Sequence, residues 1–167
     1  MAHRNGTTAS QQKWLHRRLN VWHIFSSSVG AMLGIGTIAY LSSVTGKYFL
    51  MPPLGATCFI AFVIPDSAFA QPRNIIGGHL LSSIIGILCA NFFGAEWWSY
   101  ALAVSIAIAV MQIVRLQHPP AAADPLLLMM QGTASWDFLI TPVLSGSIIL
   151  VIIAMLFKKL LVRSQPS

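Results

Sequence analysis

The stretch RLQHPPAAADPLLLMM, residues 115–130, decides how this chain is built. It stands directly behind residues 98–114, a run of seventeen residues whose composition suits the interior of a lipid bilayer. An arginine, a histidine and two adjacent prolines interrupt the apolar sequence before a shorter apolar run follows. Because proline disfavours helix in the residue before it and is well placed in a first helical turn, the pattern predicts a break at His118 and a new helix at the proline pair.

The composition is typical of an integral membrane protein. Hydrophobic residues make up 56% of the chain and charged residues 8%, and the mean hydropathy is +0.72, far outside ordinary soluble usage. The formal net charge is +6 and arises mainly at the two ends, from Arg4, Lys13, Arg17, Arg18, Lys158, Lys159 and Arg163. Basic residues placed this way indicate membrane topology and contact with anionic lipids, and they argue against nucleic acid as a partner.

The chain has room for one membrane domain. We assign residues 1–23 to a basic cytoplasmic segment, 24–157 to a single transmembrane domain and 158–167 to a basic cytoplasmic tail. The first apolar run, residues 24–44, is too long for a signal peptide and is followed by no convincing cleavage site, so we expect it to be retained as a span. The polar lead is short for an organelle transit peptide, which favours the bacterial inner membrane.

The apolar segments follow a repeated order. Four of them are long enough to cross the ~30 Å hydrocarbon core: residues 24–44, 75–93, 98–114 and 138–157. Two shorter runs, residues 54–64 and 121–130, each follow a proline pair, and the two pairs are 67 positions apart. We therefore predict an all-α polytopic bundle of two repeats, residues 24–93 and 98–157, each a long helix, a half-helix and a long helix. The half-helices start at Pro52, Pro53, Pro119 and Pro120.

Two topologies fit this order. The residues before each proline pair, 47–51 and 115–118, are expected to be extended, and about five extended residues plus about eleven helical ones span one bilayer core. This gives three crossings per half, as inverted repeats, with both termini cytoplasmic. The alternative has four spans and two re-entrant helices. The positive-inside bias favours the three-plus-three arrangement, because it places Arg73 and Arg115 on the cytoplasmic side.

Small residues predict close helix packing. Gly78, Ser82, Gly86, Ala90 and Gly94 recur every four residues, and Ala101, Ser105 and Ala109 do the same on the next helix. In a bilayer this spacing lets helix backbones approach closely. It predicts a compact bundle and leaves room for a homo-oligomer, with a dimer favoured. The two cysteines, Cys58 and Cys89, lie within apolar runs and are interpreted as packing residues.

Three motifs carry a family resemblance. The stretches PPLGATCFIAF, AQPRNIIGGHL and RLQHPPAAA resemble those of the HPP family of integral membrane proteins, named after the His-Pro-Pro that stands here as residues 118–120. The resemblance covers about residues 30–157. Family members in plants and cyanobacteria are associated with nitrite transport, so it implies nitrite as the substrate. One departure is that the family commonly continues as HPPAGA, whereas Asp124 and Pro125 follow the alanines here.

The residues themselves also favour an anion. Helix N-terminal ends carry partial positive charge, and broken helices in transporters direct such ends at anionic substrates. The expected binding residues are Gly55, Ala56 and Thr57 at one half-helix, Ala121 and Ala122 at the other, and the side chains of Arg73, Asn74, His79, Arg115 and His118. Arginine would bind a planar oxyanion in a bidentate way. His118 and Asp124 are candidates for proton coupling.

Each side chain has a structural alternative. The two arginines can anchor helix ends at the interface, with their charged groups reaching towards water. Asn74 can be the N-cap of a helix that starts at Ile75, and His79 can be a hydrogen-bonded residue between helices. Asp124 can stabilise a helix N-terminus or pair with an arginine.

The motifs that the sequence lacks narrow the possible classes of function. The sequence has no nucleotide-binding loop, no paired carboxylates at catalytic spacing and no metal-ligand cluster, so we expect neither an enzyme nor a cofactor or metal site. The prediction is membrane transport of a small monovalent anion, nitrite first. The alternatives are an anion channel and an accessory or scaffold membrane protein without transport.

Overall fold

The computed structural model describes residues 21–132 and 134–163, with side chains in the last helix described through residue 160. Most of the predicted N-terminal segment 1–23, and the end of the predicted tail 158–167, lie outside the described residues. Within the described ranges, every regular element is helical.

Seven α-helices follow one another along the described chain. Their bounds are α1 Val21–Thr45, α2 Pro52–Val63, α3 Pro72–Phe93, α4 Trp97–Ile113, α5 Asp124–Gln131, α6 Trp136–Phe138 and α7 Ser145–Arg163. Short 3-10 turns at Ala68–Ala70 and Pro119–Ala123 precede α3 and α5. A kinked segment, Leu139–Leu144, joins α6 to α7, and Thr141 within it is extended (φ −136°, ψ 113°). A helical segment that begins at a proline pair thus follows both α1 and α4, while the arrangement as two repeats stays a prediction.

Both proline pairs begin a helical segment after an extended residue. Met51 (φ −108°, ψ 133°) precedes α2, and His118 (φ −139°, ψ 97°) precedes the second segment. The second segment differs from the single half-helix that the sequence predicted, because it begins as a 3-10 turn and becomes α-helical only at Asp124. The physical reason is Pro125, which has no N–H for the α-helical bond to Ala121 and therefore has to occupy a first turn.

The helix ends lie on two opposite sides of the domain. His23 Nε2 lies 3.1 Å from the carbonyl oxygen of Val63, which places the start of α1 beside the end of α2. Lys158 Nζ donates to Asp66 Oδ1 at 2.8 Å, so the end of α7 lies there as well. The start of α3 follows within a short connection, and α4 returns antiparallel to it. We call this the arginine side, because Arg73 and Arg115 lie at these ends.

The second Pro-Pro segment runs along α3 towards the opposite side. A Cβ at Gly78 would lie 2.8 Å from His118 Cβ, and one at Gly86 would lie 2.8 Å from Pro125 Cα. The segment therefore descends in the same direction as α3, away from the arginine side. This path is the one that three crossings in each half require, while the inverted symmetry between the halves stays a prediction.

Helix α3 is the centre of the bundle. It packs against α4, α5, α7, both 3-10 turns and the kinked segment Leu139–Leu144. It is also the most buried of the three stretches that are long and apolar enough to cross a membrane: Val21–Thr45, Pro72–Phe93 and Trp136–Leu160. The larger apolar core surrounds Leu54, Ile87 and Leu150, and a smaller one surrounds Cys89 and Ala103. Many large apolar side chains are exposed on the outer surface, as expected where lipid replaces water.

The two predicted small-residue stripes have different positions. Gly78, Ser82 and Gly86 are buried, whereas Ala101, Ser105 and Ala109 on α4 are exposed. The two glycines lie against the second Pro-Pro segment. The first stripe therefore serves packing within the bundle. The homo-oligomer stays a prediction, and the two cysteines are free and buried.

Candidate functional site

A buried polar cluster lies where the two Pro-Pro segments meet α3. Its centre is Thr57 on α2, whose Oγ1 lies 2.8 Å from His79 Nε2 and 2.8 Å from His118 Nε2. All three side chains are fully buried. The two imidazole rings face each other edge to face, with centroids 5.0 Å apart and an interplanar angle of 62°. One hydroxyl thus joins two histidines from different halves of the chain.

The cluster extends from His79 to a buried acid. His79 Nδ1 lies 2.8 Å from Asp124 Oδ2, and Ser83 Oγ is 3.4 Å from the same oxygen. The other carboxyl oxygen, Asp124 Oδ1, is buried and has no hydrogen-bond partner among the described residues. A buried carboxylate with a bare oxygen is costly, whereas a carboxylic acid leaves only a neutral carbonyl unpaired.

At its other end the cluster meets the backbone and a cavity. His118 Nδ1 lies 2.8 Å from the carbonyl oxygen of Phe69, in the 3-10 turn before α3. The cavity beside it has a volume of about 420 Å³. Its lining residues are Phe69, Ile108, Met111, Gln112, Gln117, His118, Pro119 and Ala122. The imidazole of His118 therefore stands between this cavity and the buried part of the cluster.

Local sequence explains why these side chains meet. His79 lies seven residues after Pro72 on α3, about 10 Å along the axis at ~1.5 Å per residue. Gly78 beside it lets the extended residues before Pro119 approach, since a Cβ there would be 3.2 Å from the carbonyl oxygen of Leu116. Asp124 then reaches His79 and Ser83 because the 3-10 turn and α5 descend along α3.

Among the predicted site residues, the structure brings together Thr57, His79, His118 and Asp124. Arg73 and Arg115 are exposed and lie outside the cluster, and Arg115 adopts a left-handed conformation with φ 58° after α4. Both arginines lie at the side of the domain that the cavity beside His118 occupies, because that cavity is lined by residues near the start of α3 and the end of α4.

The predicted backbone sites at the helix starts are already hydrogen-bonded. The Gly55 N–H donates to the Met51 carbonyl at 3.4 Å, and the Ala121 N–H donates to the His118 carbonyl at 3.0 Å. Gly55 and Ala56 are exposed, whereas Ala121 is buried and Ala122 half-buried. The candidate hydrogen-bond donors for a ligand in this region are therefore side-chain groups and not the backbone N–H groups of the helix starts.

Asn74 is placed differently from the predicted N-cap. Helix α3 starts at Pro72 with Gln71 in the N-cap position, so the expected start at Ile75 was three residues late. The error arose because Pro72 fits a first turn and Asn74 fits a cap equally well by residue type. Asn74 Nδ2 instead donates to the Ala68 carbonyl at 2.7 Å, which holds the 3-10 turn that carries Phe69.

Sequence reasoning missed four participants. They are Ser83, the Phe69 carbonyl, Gln112 and Gln117. The two glutamines could have been predicted from the sequence, because Gln112 is an uncharged polar residue inside an otherwise apolar run and Gln117 directly precedes the His-Pro-Pro. The role of the Phe69 carbonyl could not have been predicted, since every residue has a backbone carbonyl.

Comparisons with known proteins give one family model and two curated relatives. The family model described as "HPP, transmembrane region" matches residues 16–166. A transmembrane protein of Dictyostelium discoideum, DDB_G0269096, is 33% identical over 146 residues, which cover 80% of this chain and 50% of that protein. A second, DDB_G0273707/DDB_G0273361, is 30% identical over 143 residues, covering 81% and 46%. This chain thus spans about half the length of these curated relatives. No solved structure matches it.

Proposed function

This chain belongs to the HPP transmembrane family, and on that premise we propose that it transports a small monovalent anion across the membrane, with nitrite as the first candidate. The observation that carries the proposal is the meeting of two imidazoles and a hydroxyl around Thr57, beside a cavity and inside an apolar helical domain. Ionisable side chains inside a membrane domain are rare and costly, and they commonly mark a substrate or ion pathway.

The cavity beside His118 offers hydrogen-bond donors without a full charge. The side-chain amides of Gln112 and Gln117 and the imidazole of His118 line it. Each amide carries two N–H donors. Gln112 Nε2 donates to the Ile108 carbonyl at 3.2 Å, and both ring nitrogens of His118 already have partners, so the free donors are the remaining amide N–H groups. A volume of about 420 Å³ accommodates a triatomic anion with part of its hydration shell. We place the first binding position of the anion here.

The two exposed arginines support this position through their charge. Arg73 and Arg115 are exposed on the side of the domain where the cavity lies. Exposed cations at a cavity entrance raise the local concentration of anions and their rate of entry, with an effect that salt screens. Their role in the proposal is attraction, and the side-chain amides bind the anion beside His118.

The same charges support an orientation. Among the described residues, the arginine side carries Arg73, Arg115, Lys158 and Lys159 with the single acid Asp66. The opposite side carries Lys47, Glu96 and Asp137. Because cytoplasmic loops are enriched in arginine and lysine, we propose that the arginine side and both termini face the cytoplasm. The bacterial inner membrane stays part of the proposal, as does a homodimer.

One observation favours the second candidate, a scaffold without transport. All four ring nitrogens of His79 and His118 already have partners at 2.8 Å. A network whose imidazole nitrogens are all paired can have the single role of fixing one packing of a membrane bundle. The two candidates differ in ligand response, because a transporter is stabilised by an anion that it binds and a scaffold is not.

The test is anion flux into proteoliposomes that contain the purified chain. The uptake of the neutral acid, measured in protein-free vesicles, is subtracted first. Nitrite uptake that saturates with concentration then supports a transporter, and uptake that rises linearly with concentration supports a channel. Gln117→Ala should raise the half-saturating concentration several-fold. Gln131→Ala removes an equally exposed amide outside the cavity and should not. No flux and no stabilisation by nitrite, nitrate or chloride would move the assignment to the scaffold.

A further inference from the structure

The hydrogen-bonded chain through the cluster has an inherent direction. It runs from the Phe69 carbonyl through His118, Thr57 and His79 to Asp124, in four contacts of 2.8 Å each. A carbonyl oxygen only accepts, so His118 Nδ1 carries a proton. With that nitrogen protonated, a neutral His118 can only accept at Nε2, and the proton between it and Thr57 comes from the hydroxyl.

The same reasoning fixes the rest of the chain. Thr57 has one proton, so the contact with His79 requires an N–H at His79 Nε2. A neutral His79 then accepts at Nδ1, and Asp124 Oδ2 must be protonated to complete the last bond. The equivalent form is a charged His79 beside an ionised Asp124. In either form the pair holds one proton more than a neutral imidazole and a carboxylate.

Thr57 Oγ1 also lies 3.0 Å from the carbonyl of Pro53, which competes for the single hydroxyl proton. Donation to Pro53 would require a second proton on His118, and that would place a net charge in a fully buried cluster. Burying an uncompensated charge is far more costly than leaving the intrahelical contact unmade. We therefore assign the hydroxyl proton to His118.

We propose that this chain of groups is a proton-binding relay, and that it takes up one proton with each anion. The relay rests on the proposed function, since the anion site and the point of proton entry share His118. In the empty relay, His118 Nε2–H donates to Thr57, Thr57 donates to His79 Nε2, and His79 Nδ1–H donates to ionised Asp124. His118 Nδ1 is then bare and no longer bonds to Phe69.

Loading reverses every bond of the relay. A proton from the cavity adds to His118 Nδ1, His118 passes its Nε2 proton to Thr57, Thr57 passes its own to His79 Nε2, and His79 passes its Nδ1 proton to Asp124. One proton enters, one O–H bond forms on Asp124, and the cluster changes from one negative charge to neutral. The observed geometry is the loaded form, because the Phe69 carbonyl accepts from His118.

The coupling follows from the position of His118 at the cavity wall. While the entering proton resides on this imidazole, the ring is cationic and attracts an anion from the cavity. When the proton has moved to Asp124, the ring is neutral again and holds the anion less tightly. Anion and proton thus enter together, and the transported pair carries no net charge.

Few other titratable groups surround the relay. On the helices packed around it, the described ones are Cys58 on α2, Arg73 and Cys89 on α3, Tyr100 on α4 and, at the far end of α7, Lys158 and Lys159. In connections or short turns lie Lys47, Tyr48, Asp66, Glu96, Arg115 and Asp137. The hydrogen bonds and ion pairs found among the described residues join none of these to the four relay side chains. A pH response of the cluster is therefore assigned to His79, His118 and Asp124.

The first test measures which ring nitrogens of the two histidines are protonated, and it needs no transport assay. Nitrogen-15 spectra of histidine-labelled protein at neutral pH should show a protonated Nδ1 on His118 and a protonated Nε2 on His79, with His79→Gln and His118→Gln assigning the signals. Both histidines should change to the empty pattern, with a bare Nε2 on His79, as the pH is raised. Signals that keep one protonation pattern from acid to alkaline pH would overturn the proposal, since a relay has to exist in both forms.

The second test reads the coupling. The vesicles are held at zero membrane potential, and the uptake rate of protein-free vesicles is subtracted. The remaining rate of nitrite uptake should rise about in proportion to the external proton concentration. Asp124→Asn keeps the shape and can donate from its amide like the protonated acid, but it cannot release a proton. It should fold and lose the dependence on the pH gradient, whereas Asp66→Asn, which removes an exposed carboxylate, should keep it.

The outcomes separate the two proposals. Uptake that is insensitive to the pH gradient in the wild type overturns the relay and leaves anion transport standing. Absence of uptake from folded protein overturns anion transport and the coupling with it. If Asp124→Asn fails to fold, Ser83→Ala, which removes the long contact to the same carboxyl, should still shift the pH dependence of uptake.

Discussion

Thr57 Oγ1 and His118 Nε2 form a 2.8 Å hydrogen bond between residues that are 61 positions apart. The bond joins the first Pro-Pro helix to the residue that precedes the second proline pair. Because the same hydroxyl also contacts His79 on α3, one side chain ties together three segments of the bundle. Its loss should therefore affect both stability and function.

Thr57→Val keeps the shape of the side chain and removes the hydroxyl. Two buried imidazole nitrogens then lose their partner, which costs about 1–3 kcal/mol for each unsatisfied group. We expect a lower unfolding temperature in detergent. Thr37→Val is the matched control, because Thr37 donates only to its own helix, at the Leu33 carbonyl. Equal losses for the two variants would contradict the central role of Thr57.

Gly78→Ala tests the close approach of the second Pro-Pro segment to α3. The added methyl group would lie 2.8 Å from His118 Cβ and 3.2 Å from the Leu116 carbonyl, so the backbone has to move apart. Overpacking of this kind costs about 1–3 kcal/mol. Gly36→Ala on α1 meets nothing within 4 Å and should be stabilising by about 0.5–1 kcal/mol, as in other helix interiors. Thermal unfolding of the two variants should therefore shift in opposite directions.

The double variant Arg73→Ala, Arg115→Ala tests the role of the exposed arginines. If they attract the anion from the surface, the half-saturating concentration should rise about threefold at low ionic strength and little at ~0.5 M salt, where the Debye length is only a few Å. The maximal rate should change little. A loss of uptake that salt does not alter would show that an arginine binds the anion directly.

The surface pair of Asp66 and Lys158 predicts a small effect of pH on stability. The hydrogen bond from Lys158 holds the pKa of Asp66 below its usual range, so the ionised pair stabilises the fold above the unfolded-state pKa of ~3.9. This contribution is lost as the pH falls through the lower, folded-state pKa. The unfolding temperatures of wild type and Asp66→Asn should therefore differ at neutral pH and converge in acid.

Salt provides the check on that prediction. Asp66 is 91% exposed and Lys158 51%, so the solvent screens the pair strongly. The difference between wild type and Asp66→Asn at neutral pH should shrink as salt is added. A difference that persists in high salt would indicate that Asp66 has a further structural role.

The sequence by itself determined the class of fold and the points where its helices break. Composition selects the membrane as solvent because an apolar chain of this kind cannot expose its side chains to water. Pro52 and Pro119 start their segments where predicted, since the missing N–H and the fixed φ of proline act locally. The family motifs likewise rest on short stretches of neighbouring residues, and the family match confirmed them.

Only the tertiary structure decided which polar residues meet. Thr57, His79 and Asp124 come from three helices, and their contacts join positions 22 and 45 residues apart. Such contacts depend on helix directions and on the small residues that let segments approach, which no local pattern specifies. The same reason explains the arginines: their residue type predicts an oxyanion ligand, but their position at the ends of α3 and α4 leaves them exposed, while the buried site is built from histidines, a threonine and an acid.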